Sequence, residues 1–375
     1  MNQTPAITNR TALICTTAFL TCVGLLAIYA SSSIPAAQNL GSEFYHLKKQ
    51  ALVAGFGFFV IFLTGHLPFK WIEVATVPLL VLSLVLLSLV HVPGLEGRAG
   101  GASRWLMVGG ISIQPAELAK LALVLFLAKN LSRPSSNLES FWQGVLPNLA
   151  TYGLLAVLLM TQPDFGSTAF LLILTFIMLF VAGLPRRFVA LFVLVGACGV
   201  GAAILAAPYR LARLLTFMDP WSKFKGSGFQ IIQSYLGFQN GGLFGAGLGE
   251  SRQKLFFLPE AHTDFILSVI GEELGLFGVL LICLLFAYLV YLGIQITRSQ
   301  TSNYRRFLAF GITVMIAAQA TLNMGVTMGV LPTKGITLPF VSNGSNSLLV
   351  FLGAIAILAR ISQEPSRVTR ERLPT

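Results

Sequence analysis

PEAHTDFILSVIGEELGLFGVLLICLLFAYLVYLGI, residues 259–294, joins a polar cluster to an apolar run long enough to cross a bilayer. Glu260, His262, Thr263 and Asp264 come first, and Glu272 and Glu273 follow about two helical turns further in. A crossing needs about 20 apolar residues. The run 265–294 meets that length and gathers its carboxylates at one end.

The rest of the chain repeats the pattern. Of 375 residues, 55% are hydrophobic and 10% are charged, and the mean hydropathy is +0.78. A soluble chain carries about 25% charged residues. Apolar runs fall at 11–31, 51–68, 72–92, 114–130, 147–162, 165–183, 187–207, 265–294, 306–330 and 344–361. The fold class that follows is an all-α polytopic membrane protein with about ten transmembrane helices. Gln162-Pro163-Asp164 must then be a tight outer hairpin between two short spans.

No soluble domain fits between the runs. Residues 1–361 read as one transmembrane domain with a long extracytoplasmic loop at about 208–263, and 362–375 as a basic, disordered tail. The first run is too long for a signal-peptide core and lacks a small-residue cleavage site, so it is expected to be retained. An even number of spans puts both termini on one side. Arg10, Lys70, Lys129, Arg133, Arg186, Arg187, Arg298, Arg305 and Arg306 lie at span ends on that side, which makes it cytoplasmic. The opposite face carries its cations mostly in longer loops, where that rule loses force, so they call for another reason. An anionic ligand is one.

Cys15, Cys22, Cys198 and Cys283 all fall inside apolar runs, and His46, His66, His91 and His262 are scattered. Neither a disulfide framework nor a dedicated metal site is expected. The glycines of YLGFQNGGLFGAGLGES match no phosphate-binding spacing, and a closely packed or flexible loop is the better reading.

Two constellations stand out. Glu117 and Lys120, three apart in the fourth span, share a helix face, either as a mutually neutralised structural pair or as a functional one. Asp264, directly before an apolar run, has the position of a helix N-cap. It also lies among loops carrying Arg98, Arg104, Arg210, Arg213, Lys223, Lys225, Arg252, Lys254 and Lys334. A carboxylate ringed by cations suits transfer from a phosphate-activated, lipid-borne donor. The carboxylate takes a proton from a hydroxyl nucleophile and the cations stabilise a departing diphosphate.

Four stretches carry a resemblance: GGASRWLMVGGISIQPAELAK, QPDFGSTAF, GGLFGAGLGESRQKLFFLPEAHTDFILSVIGEELG and LPTKGITLPFVSNGSNSLL. In sequence and order they resemble the bacterial SEDS family (shape, elongation, division and sporulation), and its division branch more than its elongation branch. The resemblance implies ten spans and a peptidoglycan glycosyltransferase that polymerises lipid II at the outer face of the cytoplasmic membrane, at the division septum. It implies a class B penicillin-binding protein as transpeptidase partner, among other division proteins, and no nucleic acid. The family's essential acid falls on Asp264, and its polar pair on Glu117 and Lys120, with Ala116 in place of the usual Ser. Arg104, Gln114, Lys254, Glu260, His262 and Lys334 are the implied substrate-site lining. A divalent cation, Mg²⁺ or Mn²⁺, would be shared with the substrate diphosphate. One loop departs from the pattern: Asn343, Ser345 and Asn346 stand where the family has Tyr, Gly and Ser.

A flippase that carries the lipid-linked precursor across the membrane is the rival from another class. Ten spans and interior charges fit it equally, but its path needs polar lining in both halves, and here the polar detail gathers on the outer side. An elongation-type polymerase is the nearer alternative.

Overall fold

The computed structural model describes residues 5–99, 102–109, 111–134, 136–224, 226, 228–247, 249–251 and 261–364. The fold is a helical bundle. Its helices are α1 (Pro5–Leu40), α2 (Tyr45–His66), α3 (Phe69–Leu89), α4 (Pro115–Leu131), α5 (Leu146–Thr161), α6 (Phe165–Val181), α7 (Arg186–Leu205), α8 (Pro208–Met218), α9 (Phe229–Gly241), α10 (Ile266–Ser299), α11 (Asn303–Thr327) and α12 (Ser345–Ile361). A helix lies at each of the ten expected runs. Among the described residues, seven are long and apolar enough to cross a membrane, while Phe165–Val181 and Ser345–Ile361 are shorter apolar helices. The chain is a multi-pass membrane protein.

α4 forms the axis. Fourteen of its residues are buried, Glu117 and Lys120 among them, because α3, α5, α6, α11 and α12 all pack on it. A helix that is apolar nearly all round belongs inside. α7 is the opposite case, with no buried residue, and it stands at the edge of the bundle against α6 and α8.

Two features were not visible as hydropathy. Residues 94–113, expected as an outer loop, contain a three-stranded antiparallel meander of β1 (Glu96–Ala99), β2 (Ala102–Val108) and β3 (Ile111–Ile113). Strands of three to seven residues are too short for a span-length window to register. The long loop after α7 holds α8, a 3₁₀ turn at Trp221–Lys223, and α9.

α10 is the second surprise. Its 34 residues would run about 51 Å as a straight helix, well beyond the roughly 30 Å apolar core of a bilayer. The helix breaks at Gly275, where φ is 66° and ψ is −161°. A Cβ there would strike the backbone of Leu243 and Gly245, so only glycine fits. Residues 242–247 pack into the break and take up the freed backbone groups. Ala246 N donates to Glu272 O at 2.9 Å, Gly247 N to Glu273 O at 3.2 Å, and Leu276 N to Gly242 O at 2.9 Å. The Glu272 carboxylate accepts from the Ser251 hydroxyl and from Asn240 Nδ2 at 3.3 Å. The glycine-rich loop is therefore a closely packed clamp on α10.

Candidate active site

The site assembles where α4, α10 and α11 meet the extended segment 331–338. Asp264 closes the turn before α10, whose N-cap position falls on Phe265. Asp264 is half-buried, and its Oδ2 lies 3.4 Å from where a Cβ on Gly335 would stand. Its carbonyl accepts from Asn323 Nδ2 on α11 at 2.9 Å. The carboxylate thus rests against the backbone at Gly335.

Lys334 reaches across to the hairpin before α6. Its ammonium lies 5.6 Å from the Phe165 ring centre. Burial pushes the Lys334 pKa down, and the nearby Asp164 carboxylate pulls it partly back up. Asp164 itself caps α6, accepting from Ser167 N at 3.1 Å. Arg104 on β2 fastens the same hairpin by donating from Nη2 to Pro163 O at 2.7 Å. Arg210, at the start of α8, stacks its guanidinium 5.2 Å from the Phe165 ring centre. Arg104, Asp164, Arg210, Arg213, Lys334 and Gly335 line one cleft of about 100 Å³.

A much larger cavity adjoins it. The space between α5, α6 and α7 measures about 840 Å³ and is lined almost wholly by apolar side chains such as Tyr152, Leu172, Phe188 and Phe192. Phe165 belongs to both spaces. A basic cleft and an apolar cavity therefore share one wall.

The Glu117–Lys120 pair reaches segment 331–338 through Gln319. Lys120 Nζ donates to Glu117 Oε1 at 2.7 Å and to Gln319 Oε1 at 2.7 Å, and it lies 5.1 Å from the Phe170 ring centre. Lys120 is 4% exposed and Glu117 is 6% exposed. At that depth an ammonium needs all three of its donor directions answered.

His262 packs against His46, with ring centres 5.1 Å apart. Asn343 holds the two together, donating from its backbone to His262 O at 2.9 Å and placing Nδ2 3.1 Å from His46 Nδ1. Asn346 Nδ2 donates to Ser112 O at 2.8 Å. The departures at Asn343 and Asn346 thus serve as local ties between the 339–347 loop, the start of α2 and β3. Gln114 occupies the N-cap position of α4, one turn ahead of Glu117. Lys254 and Glu260 lie outside the described residues.

Segment 331–338 brings Asp264, Lys334 and the Glu117–Lys120 pair around one strip of backbone, with His262 two residues from Asp264. Arg104 joins them through the cleft. Sequence reading overlooked Gln319 and Asn323, two amides four residues apart in an otherwise apolar run, and that spacing was their signal. It also left out Asp164 and Phe165, whose hairpin looked only like a turn.

The model of a family of cell cycle proteins, FtsW/RodA/SpoVE, matches residues 10–367 of this chain. The chain belongs to this family. A probable peptidoglycan glycosyltransferase FtsW of Geobacter sp. strain M18 is 41% identical over 92% of this chain and 94% of its own. Stage V sporulation protein E of Bacillus subtilis strain 168 is 40% identical over 94% of this chain and 96% of its own. Among solved structures, a chain from a study of polymerisation and crosslinking by a peptidoglycan synthase complex superposes with a TM-score of 0.76 at 28% identity. It covers 94% of this chain and 96% of its own. The Thermus thermophilus rod shape determining protein RodA superposes at 0.68 with 27% identity, over 97% of both chains. The FtsW/RodA/SpoVE fold thus extends over nearly the whole length, site included.

Proposed function

We propose that this chain is a peptidoglycan glycosyltransferase that polymerises lipid II at the outer face of the cytoplasmic membrane during septal wall synthesis. The observation that carries the reading is the pair of spaces sharing Phe165, with Asp264 packed behind Gly335, a residue of the cleft lining. A lipid-linked sugar diphosphate needs an apolar space for its chain, cations for its diphosphate and a base at the sugar. All three lie side by side here.

In this reading Asp264 takes the proton from the acceptor sugar's 4-hydroxyl as that oxygen attacks the donor anomeric carbon. The configuration inverts, and the C–O bond to the lipid diphosphate breaks with its electrons leaving on the diphosphate. Lys334, Arg104, Arg210 and Arg213 stabilise the developing charge. Among the described residues no three His, Cys, Asp or Glu are grouped to hold a metal ion, so a divalent cation would be shared with the substrate phosphates.

The relatives named FtsW favour the division role over an elongation role. The neighbour taken from a peptidoglycan synthase complex supports a crosslinking partner, which we take to be a class B penicillin-binding protein. The testing experiment supplies lipid II to the purified protein, with and without that partner, and follows glycan polymer. Polymer that disappears in Asp264→Asn supports the reading. Absence of polymer in every condition, with precursor moved between leaflets instead, favours the flippase.

A further inference from the structure

We infer that Gln319 and Asn323 are positioning residues that set the distance between the buried Glu117–Lys120 pair and Asp264. This rests on the glycosyltransferase reading and deepens it. The two side chains lie one turn apart on α11 and are 0% and 1% exposed. Gln319 Oε1 accepts from Lys120 Nζ at 2.7 Å. Its Nε2 donates to Thr337 O at 3.1 Å, with Thr337 Oγ1 and Ser347 Oγ nearby at 3.4 and 3.5 Å. Asn323 Nδ2 donates to Ile336 O at 2.6 Å and to Asp264 O at 2.9 Å.

Chemistry fixes both amides in these orientations. An ammonium only donates, so the oxygen of Gln319 must face Lys120. Two carbonyls only accept, so the nitrogen of Asn323 must face them. The result is a continuous path from Glu117 through Lys120, Gln319, Thr337, Ile336 and Asn323 to the backbone of Asp264. Segment 336–337 has no helical or sheet ladder of its own, and these amides supply what a ladder would.

Asn323 also gives up something. Its Oδ1 is buried without a hydrogen-bond partner among the described residues, and an unsatisfied buried acceptor lowers stability. A leucine would fill the same space in this apolar helix without that penalty. An amide kept there for its two donors points to the placement of Asp264 and Ile336.

The test compares wild type, Gln319→Met, Asn323→Asp and Asn323→Ser, full length and in lipid vesicles with the transpeptidase partner. Polymerisation rate is measured against lipid II concentration and against pH, per folded molecule. Glu117 and Lys120 lie on the path, Lys334, His262, His46 and Asp164 belong to the segments that adjoin it, and every one of them is retained in these variants. Asn323→Asp sets oxygen against two carbonyl oxygens, so kcat should fall about 100-fold, the scale of an ångström-sized misplacement, with KM within about twofold. The acid limb of the pH–rate profile should move in Asn323→Ser too, where no added carboxylate contributes its own titration, because Asp264 shifts relative to Gly335 and the backbone it rests on. Asn323→Ser keeps one donor and should recover part of the rate. Loss of folded protein alone scales the rate equally at every pH and leaves the limb in place. Variants with an unmoved limb and near-normal kcat, in a wild type that polymerises, overturn the inference alone. A wild type that makes no polymer overturns the reading beneath it.

Discussion

Replacing the Asp264 carboxylate by an amide removes a base while keeping its volume, and no helix cap is lost, because the N-cap position of α10 falls on Phe265. Asp264→Asn should therefore fold with a melting temperature close to wild type and lose polymerisation by about 10²–10⁴-fold, the usual contribution of a positioned base. Near-normal glycan synthesis by a stable variant would sink the catalytic role. Lys334 allows a test with a sign. Burial lowers its folded pKa, so between that value and the unfolded value the unfolded chain binds more protons, and stability rises with pH across that window. The cost of burying the charge is fully present below the folded pKa and fades as pH climbs through it. Lys334→Met should thus raise the melting temperature at neutral pH, and the gain should shrink toward pH 10.5 while lipid II turnover stays impaired. A gain independent of pH would show that side-chain packing, not charge, is responsible. At this scale the sequence already showed the Glu117–Lys120 pair, because a spacing of three is a helical neighbour relation. It did not show that Lys120 spends a second donor on Gln319, because that contact spans 199 residues.

Helices impose the next level of constraint. On the α4–α11 seam, Glu117 and Lys120 are each other's main compensation, so Glu117→Gln or Lys120→Met alone strands a charge and should cost about 3–5 kcal/mol. The double variant should regain much of that stability. If the pair is only structural, polymerisation returns with folding; if Lys120 serves the chemistry, folding returns and polymerisation does not. α10 gives a backbone counterpart. Gly275→Ala forces a Cβ into Leu243 and Gly245 at a φ that L-residues disfavour, and should destabilise by about 1–3 kcal/mol. Gly153→Ala on α5, with nothing within 4 Å, should be neutral or stabilising. Equal melting temperatures for the two would remove the clamp from the account. The helices themselves were legible, since apolar length is a strong signal. The break inside α10 was not, because hydropathy runs unbroken across Leu274-Gly275-Leu276. The β1–β3 meander was hidden for the reverse reason, its strands being shorter than any averaging window.

At the scale of the whole molecule, one face gathers Asp264, Lys334, Arg104, Arg210 and the clamp on α10. The other face holds such ties as Glu364 with Arg305 at 2.9 Å and with Arg360 at 2.8 Å. That polarity was readable in the basic loops, but the adjoining cleft and cavity were not, since they depend on how α5, α6 and α7 pack side by side. If the gathered face is the outer one, as the arginines and lysines at span ends argue, a lipid diphosphate reaches Asp264 from one leaflet only. Protein of known orientation in sealed vesicles, with precursor translocation blocked and lipid II supplied to one leaflet at a time, separates the cases. Outer-leaflet lipid II alone should yield polymer, with no movement of precursor between leaflets and none of the product in Asp264→Asn. Translocation that ignores Asp264 and gives no polymer, even beside the transpeptidase, would assign the bundle to transport. Polymer formed only from the cytoplasmic leaflet would instead invert the topology, because the loops carrying Arg104, Arg210 and Lys334 cannot lie on both sides at once.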